Sequence, residues 1–119
     1  WQLAGGQTLR ASAAPDYAGD AARTNPEQAL VAAVSSCHML TFLAIAAKRG
    51  FKVTSYADRA SGSLGKNAEG RLAVTDIVLR PKIAFDGTAP GADDLAKLHD
   101  AAHRNCFIGN SITAAVRVE

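Results

Sequence analysis

One Trp, two Tyr and four Phe are all the aromatic side chains in 119 residues, and two Cys and one Met are all the sulfur. With few rings and abundant Ala, the interior has to be built by close approach of helices. Two cysteines are too few for a disulfide-dense secreted scaffold. The cytoplasm is therefore the expected compartment, where a Cys pair is more often reactive than structural. Charge of one sign is also lacking: the net charge is +2 with no basic run, which argues against nucleic acid as the main partner. No apolar run reaches the roughly 20 uninterrupted residues of a membrane span. The nearest, Ala29 to Ala47, carries Ser35, Ser36, His38 and Thr41 and reads as a core helix, so no membrane is expected. There is no internal repeat and no linker, so residues 1–119 read as a single domain. The chain starts at Trp1 without a Met, and an incomplete N-terminal strand is the expectation.

What is present is dominated by helix signals. Thr24 or Asn25 can cap, Pro26 suits the first turn, and Glu27 suits a capping box from Thr24. The helix should run to Lys48 and Arg49, which favour its negative end, and stop at Gly50. Apolar residues occur all the way round it, so it should be buried on every side, with a second copy of the chain as the source of extra cover. Gln7 to Ala11 could be a strand, and Ala13 to Arg23 reads as loop. Val53 to Leu64 fits a strand, Lys66 to Gly70 a turn, and Arg71 to Phe85 a longer strand whose apolar phase switches at a bulge near Thr75 and Asp76. Asp86-Gly87 and Pro90-Gly91 frame a loop. Ala92 to Asn105 is amphipathic and helical, and Ile112, Ala114, Val116 and Val118 alternate as a last strand. The order β–α–β–β–α–β predicts an α+β fold with helices packed on a sheet.

The stretch VSSCHMLTFL places Cys37 and His38 side by side inside the apolar helix. His38 points about 100° away from Cys37 and needs a polar partner. Cys37 and Cys106 should face one interior. They are either two inert buried thiols or a peroxidatic and resolving pair, in which a sulfenic acid on one condenses with the other. A metal site is the rival: His99, His103 and Cys106 share one helix face, and Cys37 or His38 could complete a tetrahedron.

TNPEQALVAAVSSCHMLTFLAIAAKRGF, followed by a second Cys in HRNCFIGNS, resembles the OsmC/Ohr family of thiol peroxidases over most of the chain. The resemblance implies an intertwined homodimer with long central helices packed on antiparallel sheets and two sites at the subunit interface. It implies reduction of organic hydroperoxides without a bound cofactor or metal, with a dithiol such as dihydrolipoamide as reductant. Residue by residue, it makes Cys37 the peroxidatic Cys, Cys106 the resolving Cys, and Glu27 the acid that orients an arginine. Glu27 and Cys37 on one helix lie about 15 Å apart, so Glu27 must serve the partner's site or the helix must break. His38 and Phe107 stand where the better-known branches carry an aromatic and a Pro. The family arginine would fall near Tyr17; Arg10 and Arg23 are candidates, and a missing N-terminal strand is the other place for it. Leu40, Leu30, Ala33 and Val34 around Cys37, with Phe107 and Ile108 after Cys106, are expected to form an apolar, charge-free pocket, of which Leu40 and Phe107 bind substrate. At about 0.8 kcal/mol per buried CH₂ it would favour organic hydroperoxides over hydrogen peroxide. A non-catalytic redox-sensing or metal-binding module on the same fold is the alternative.

Overall fold

The computed structural model describes all 119 residues. Helix α1 spans Pro26–Lys48 and α2 spans Ala92–Asn105. Strands β1 (Lys52–Asp58), β2 (Ser61–Lys66), β3 (Leu72–Leu79) and β4 (Pro81–Asp86) lie between them, and β5 (Ala115–Val118) follows α2. Residues 1–25 carry two short 3₁₀ turns and two isolated bridges, Gln2 with Thr8 and Ala11 with Thr24. The strand expected at Gln7–Ala11 is absent, so the order is αββββαβ.

Helix α1 begins as its sequence demands, with different partners. Asn25, not Thr24, is the cap. Its side chain accepts the Gln28 N–H at 2.8 Å, while the Asn25 N–H donates to Gln28 Oε1 at 3.1 Å. Gln28 therefore closes the capping box expected of Glu27, which is left free for another use. At the far end Gly50 takes φ +82, a left-handed conformation that ends the helix at little steric cost.

The two long strand segments pair as one hairpin bent in the middle. β1 pairs antiparallel with β4 and β2 with β3. The break falls at Arg59-Ala60 on one side and Arg80 on the other. Asp58 Oδ1 accepts the Arg80 N–H at 2.6 Å, and Arg80 Nη1 donates to the Arg59 carbonyl at 3.2 Å and to Ser61 Oγ at 2.9 Å. The bulge expected near Thr75 is present: Ser63 pairs with Asp76 and Leu64 with Val74, leaving Thr75 unopposed. The sheets are not wholly antiparallel, because β5 adds parallel to β3. The helical crossover between them permits that arrangement.

α1 straddles both sheets with one row of side chains four residues apart. Val34, His38, Phe42 and Ala46 are its buried residues. Val34 packs with Ile77 and Leu79 of β3. Phe42 and Ala46 pack with Leu98 and Ala102 of α2 over Tyr56, Ile83 and Phe85. Gly62 lets α1 approach β2, since a Cβ there would lie 2.6 Å from Val31 Cγ2. Burial on every side is not found within one chain; Leu40, for example, is 60% exposed. By length and composition α1 is also apolar enough to cross a membrane, contrary to the expectation from its polar residues, but here its buried row is the contact surface for both sheets and for α2.

Candidate active site

Cys37 sits in the middle of α1 on an open groove of about 840 Å³. Ala33, Leu40, Ala44 and Ile45 extend the groove along the helix, and Phe107 and Ile108 close it from beyond α2. Leu40 and Phe107 thus both stand beside Cys37, as expected. Ala33 and Ile108 do too, whereas Val34 faces β3 and Leu30 lies outside the groove. The groove is not charge-free: Lys48 lines its far end. Thr41 and Lys48, four and eleven residues after Cys37, share its helix face, a spacing that was visible in the sequence.

α2 ends at Asn105, and the chain turns tightly from Cys106 through Asn110. The turn carries backbone N–H groups to both sulfurs. Gly109 N–H donates to Cys106 Sγ at 3.3 Å. Burial pushes the Cys37 thiol up, but the N–H groups of Ile108 and Phe107, the Cys106 thiol and the Thr41 hydroxyl outweigh it and hold Cys37 below the ordinary thiol value. The single Thr41 proton also reaches the Cys37 carbonyl, at 2.8 Å, so Thr41 is the least of these donors. Cys106 is pushed the other way, by burial first and then by the neighbouring Cys37. The two thiols are thus adjacent and unequal. The more exposed one is the more acidic, and the buried one holds its proton more tightly. The donors that acidify Cys37 are dipoles; no cationic side chain of the chain acts on it.

Glu27 lies elsewhere. One of its carboxylate oxygens is buried without a hydrogen-bond partner, in a second cavity of about 640 Å³ shared with Asn25, Ser35, Tyr56 and Asp58. Asp58 accepts the Ser35 hydroxyl. Burial, then the Asp58 charge, pushes the Tyr56 phenol above its ordinary range. No pattern in the strand marked Tyr56 or Asp58 as neighbours of Glu27. Neither candidate arginine lines either cavity. Arg23 pairs with Asp20 at 3.2 Å on the surface, and the Arg10 carbonyl accepts the Thr24 N–H.

His38 finds its polar partner within the chain. His38 Nε2 and His99 Nδ1 lie 3.0 Å apart and share one proton, with the rings nearly parallel. His38 is 1% exposed, and its Nδ1 has no partner. Burial, then the charges of His99 and His103, lower its pKa to about 4 against an opposing Asp58. His99 is lowered too, by burial, against Asp100 and Asp58. The metal rival drew on these same residues, but no three His, Cys, Asp or Glu side chains converge.

Two measurements follow from these shifts. Iodoacetamide should modify Cys37 before Cys106, with a pH midpoint below that of an ordinary thiol. Cys106→Ala, which removes one donor, should move that midpoint up; equal reactivity of the two thiols would contradict the assignment. The histidines predict acid lability. The unfolded chain protonates His38 near 6.5 and the folded chain only near 4, so the unfolded state binds more protons between those values. The contribution is complete above about pH 6.5 and is lost as pH falls towards 4, by roughly 3 kcal/mol. Urea unfolding of the protein and of His38→Gln between pH 7 and 4.5 should diverge by that order; parallel curves would contradict it.

The fold has close counterparts. Over its whole length the chain is 48% identical to an OsmC-like protein of unknown function from Vibrio cholerae, with a TM-score of 0.95 and 80% of that chain covered. The organic hydroperoxide resistance protein OsmC of Legionella pneumophila is 20% identical, with a TM-score of 0.71, over 98% of this chain and 82% of that one. OhrB of Bacillus subtilis, also an organic hydroperoxide resistance protein, is 20% identical, with a TM-score of 0.65, over 82% and 68%. Among functionally curated proteins there is no match. The OsmC-like protein model matches residues 19–119, and the chain belongs to that family.

Proposed function

We propose that this protein is a Cys-based peroxidase that reduces organic hydroperoxides to alcohols, working in the cytoplasm. The observation that carries the reading is the unequal thiol pair at the apolar groove. The Cys37 thiolate attacks the outer peroxide oxygen, the O–O bond breaks, and the alkoxide takes a proton and leaves as the alcohol. The sulfur of Cys106 then attacks the Cys37 sulfenic acid, and water leaves as the disulfide forms. A dithiol such as dihydrolipoamide regenerates the pair by thiol–disulfide exchange. Names of several structural relatives, as organic hydroperoxide resistance proteins, support the same reading.

The working unit in this proposal is a homodimer. Glu27 is about 15 Å from Cys37 along α1 and opens onto a different cavity, so its unpartnered oxygen serves the partner's Cys37 by orienting a guanidinium beside it. The exposed apolar faces of α1 and Phe107 are the surface a second copy covers.

Kinetics with cumene, tert-butyl and hydrogen peroxide test the chemistry. Cys37→Ser should lose all turnover. Cys106→Ser should complete one turnover and leave a sulfenic acid that dimedone labels. The organic peroxides should lead hydrogen peroxide by one to a few powers of ten in kcat/KM, about what burying several CH₂ groups provides. Full turnover by Cys37→Ser would end the proposal. Sedimentation at micromolar concentration tests the assembly: a dimer is expected, and a stably folded monomer would overturn that part.

A further inference from the structure

The proposed chemistry makes no use of His38 and His99, yet apart from the thiol pair itself theirs is the side-chain hydrogen bond that joins α1 to α2. Each helix that carries a member of this pair also carries a thiol. Cys37 immediately precedes His38 on α1, and Cys106 follows His99 by seven residues, two turns of α2 carried to its C-cap. The other contacts between the helices are apolar, chiefly Phe42 and Ala46 against Leu98 and Ala102, with Phe42 also against the His99 ring. Apolar contact of this kind is non-directional, and half of these four side chains are methyl groups, which offer little resistance to sliding. A slip of one residue moves a helix by about 1.5 Å, against an S–S bond of about 2 Å. An apolar pair at positions 38 and 99 would avoid the cost of burying the His38 imidazole and half-burying that of His99. What the imidazoles add is direction: the N–H···N bond closes at one axial setting of α2 on α1.

We infer that the His38–His99 hydrogen bond is a positioning device for the thiol pair, setting the register of α2 on α1 and so the reach of Cys106 to Cys37. The bond acts on the reach of Cys106 in closure of the disulfide; it bears on the attack of Cys37 on peroxide only through the turn donors that favour the Cys37 thiolate, an influence that vanishes at a pH where Cys37 is fully ionised. In closure, the Cys106 thiol gives up its proton, its sulfur forms the S–S bond, the S–O bond of the Cys37 sulfenic acid breaks, and hydroxide leaves with that proton as water. This kinetic consequence rests on the peroxidase reading. The geometric claim does not, because a disulfide between the same thiols can be formed in a glutathione redox buffer with no peroxide present.

Two variants separate hydrogen bonding from shape. His99→Phe keeps a ring against Phe42 and His38 but has no nitrogen. His99→Asn places a polar δ atom where Nδ1 stands. In the full chain, the Cys37–Cys106 disulfide is brought to equilibrium with glutathione, and stopped-flow kinetics separate sulfenic acid formation from disulfide closure. His99→Phe should lower the effective concentration of the two thiols and the closure rate about tenfold, the loss expected for one buried hydrogen bond. Sulfenic acid formation, measured at a pH where Cys37 is fully ionised in both proteins, should stay within about twofold, and His99→Asn should recover most of the loss. Wild-type equilibrium and closure in His99→Phe, a loss that falls on the first step instead, or no recovery in His99→Asn would each overturn the inference. Should His99→Phe fail to fold, His38→Leu against His38→Gln gives the same comparison. A wild-type protein inert to peroxide would remove the peroxidase reading alone, and the glutathione equilibrium would still decide the positioning.

Discussion

Everything in this chain is arranged around one row of α1, Val34–His38–Phe42–Ala46. The two sheets share little interior of their own. Val34 anchors one and Phe42 with Ala46 the other, so the helix is the beam to which both are fixed. One position in that row is polar, and a buried imidazole without a partner would cost on the order of the bond it lost. α2 must therefore arrive with His99 facing His38, and with α2 in that place the turn that follows it falls over Cys37. The placement of the two thiols is in this sense a by-product of satisfying a histidine.

The acidity of Cys37 illustrates which forces act at such a site. Burial alone would make it a poor nucleophile, and no cation of its own chain offsets that. Two N–H dipoles from a short turn, with the Cys106 thiol, do so instead, each weak in water but stronger where solvent is partly excluded. The same turn leaves Cys106 buried and proton-bearing, so one loop creates both halves of the inequality.

Features governed by local chemistry were legible in the sequence: the start of α1 at Pro26, its stop at Gly50, the whole of α2, and the bulge at Thr75, betrayed by the apolar phase change. Features decided by distant side chains were not. The corner at Arg59 and Arg80 is made by Arg80 reaching across strands and by Asp58 accepting a backbone N–H, and nothing in an alternating run announces that. The capping box went to Asn25 and Gln28 because Asn25 adopts the extended backbone of a cap one residue later than Thr24. At the site, Cys37, Cys106, Leu40 and Phe107 could be grouped from residue type and resemblance, and Thr41 from its i+4 spacing. The N–H donors of Phe107 and Ile108 could not, since backbone groups leave no trace in residue identity. Glu27 was rightly kept apart from Cys37 by helix rise alone.

The bent hairpin has a consequence for how this molecule comes apart. β1 continues into β2 and β3 into β4 with only one or two residues between, so the two sheets are halves of a single pair of strands. Arg80 also ties that corner to the chain end through Glu119, at 2.8 Å. Fraying that began in one sheet would therefore travel through the corner into the other. The covalent and hydrogen-bonded corner thus couples the two sheets, and a single cooperative unfolding transition is expected rather than two.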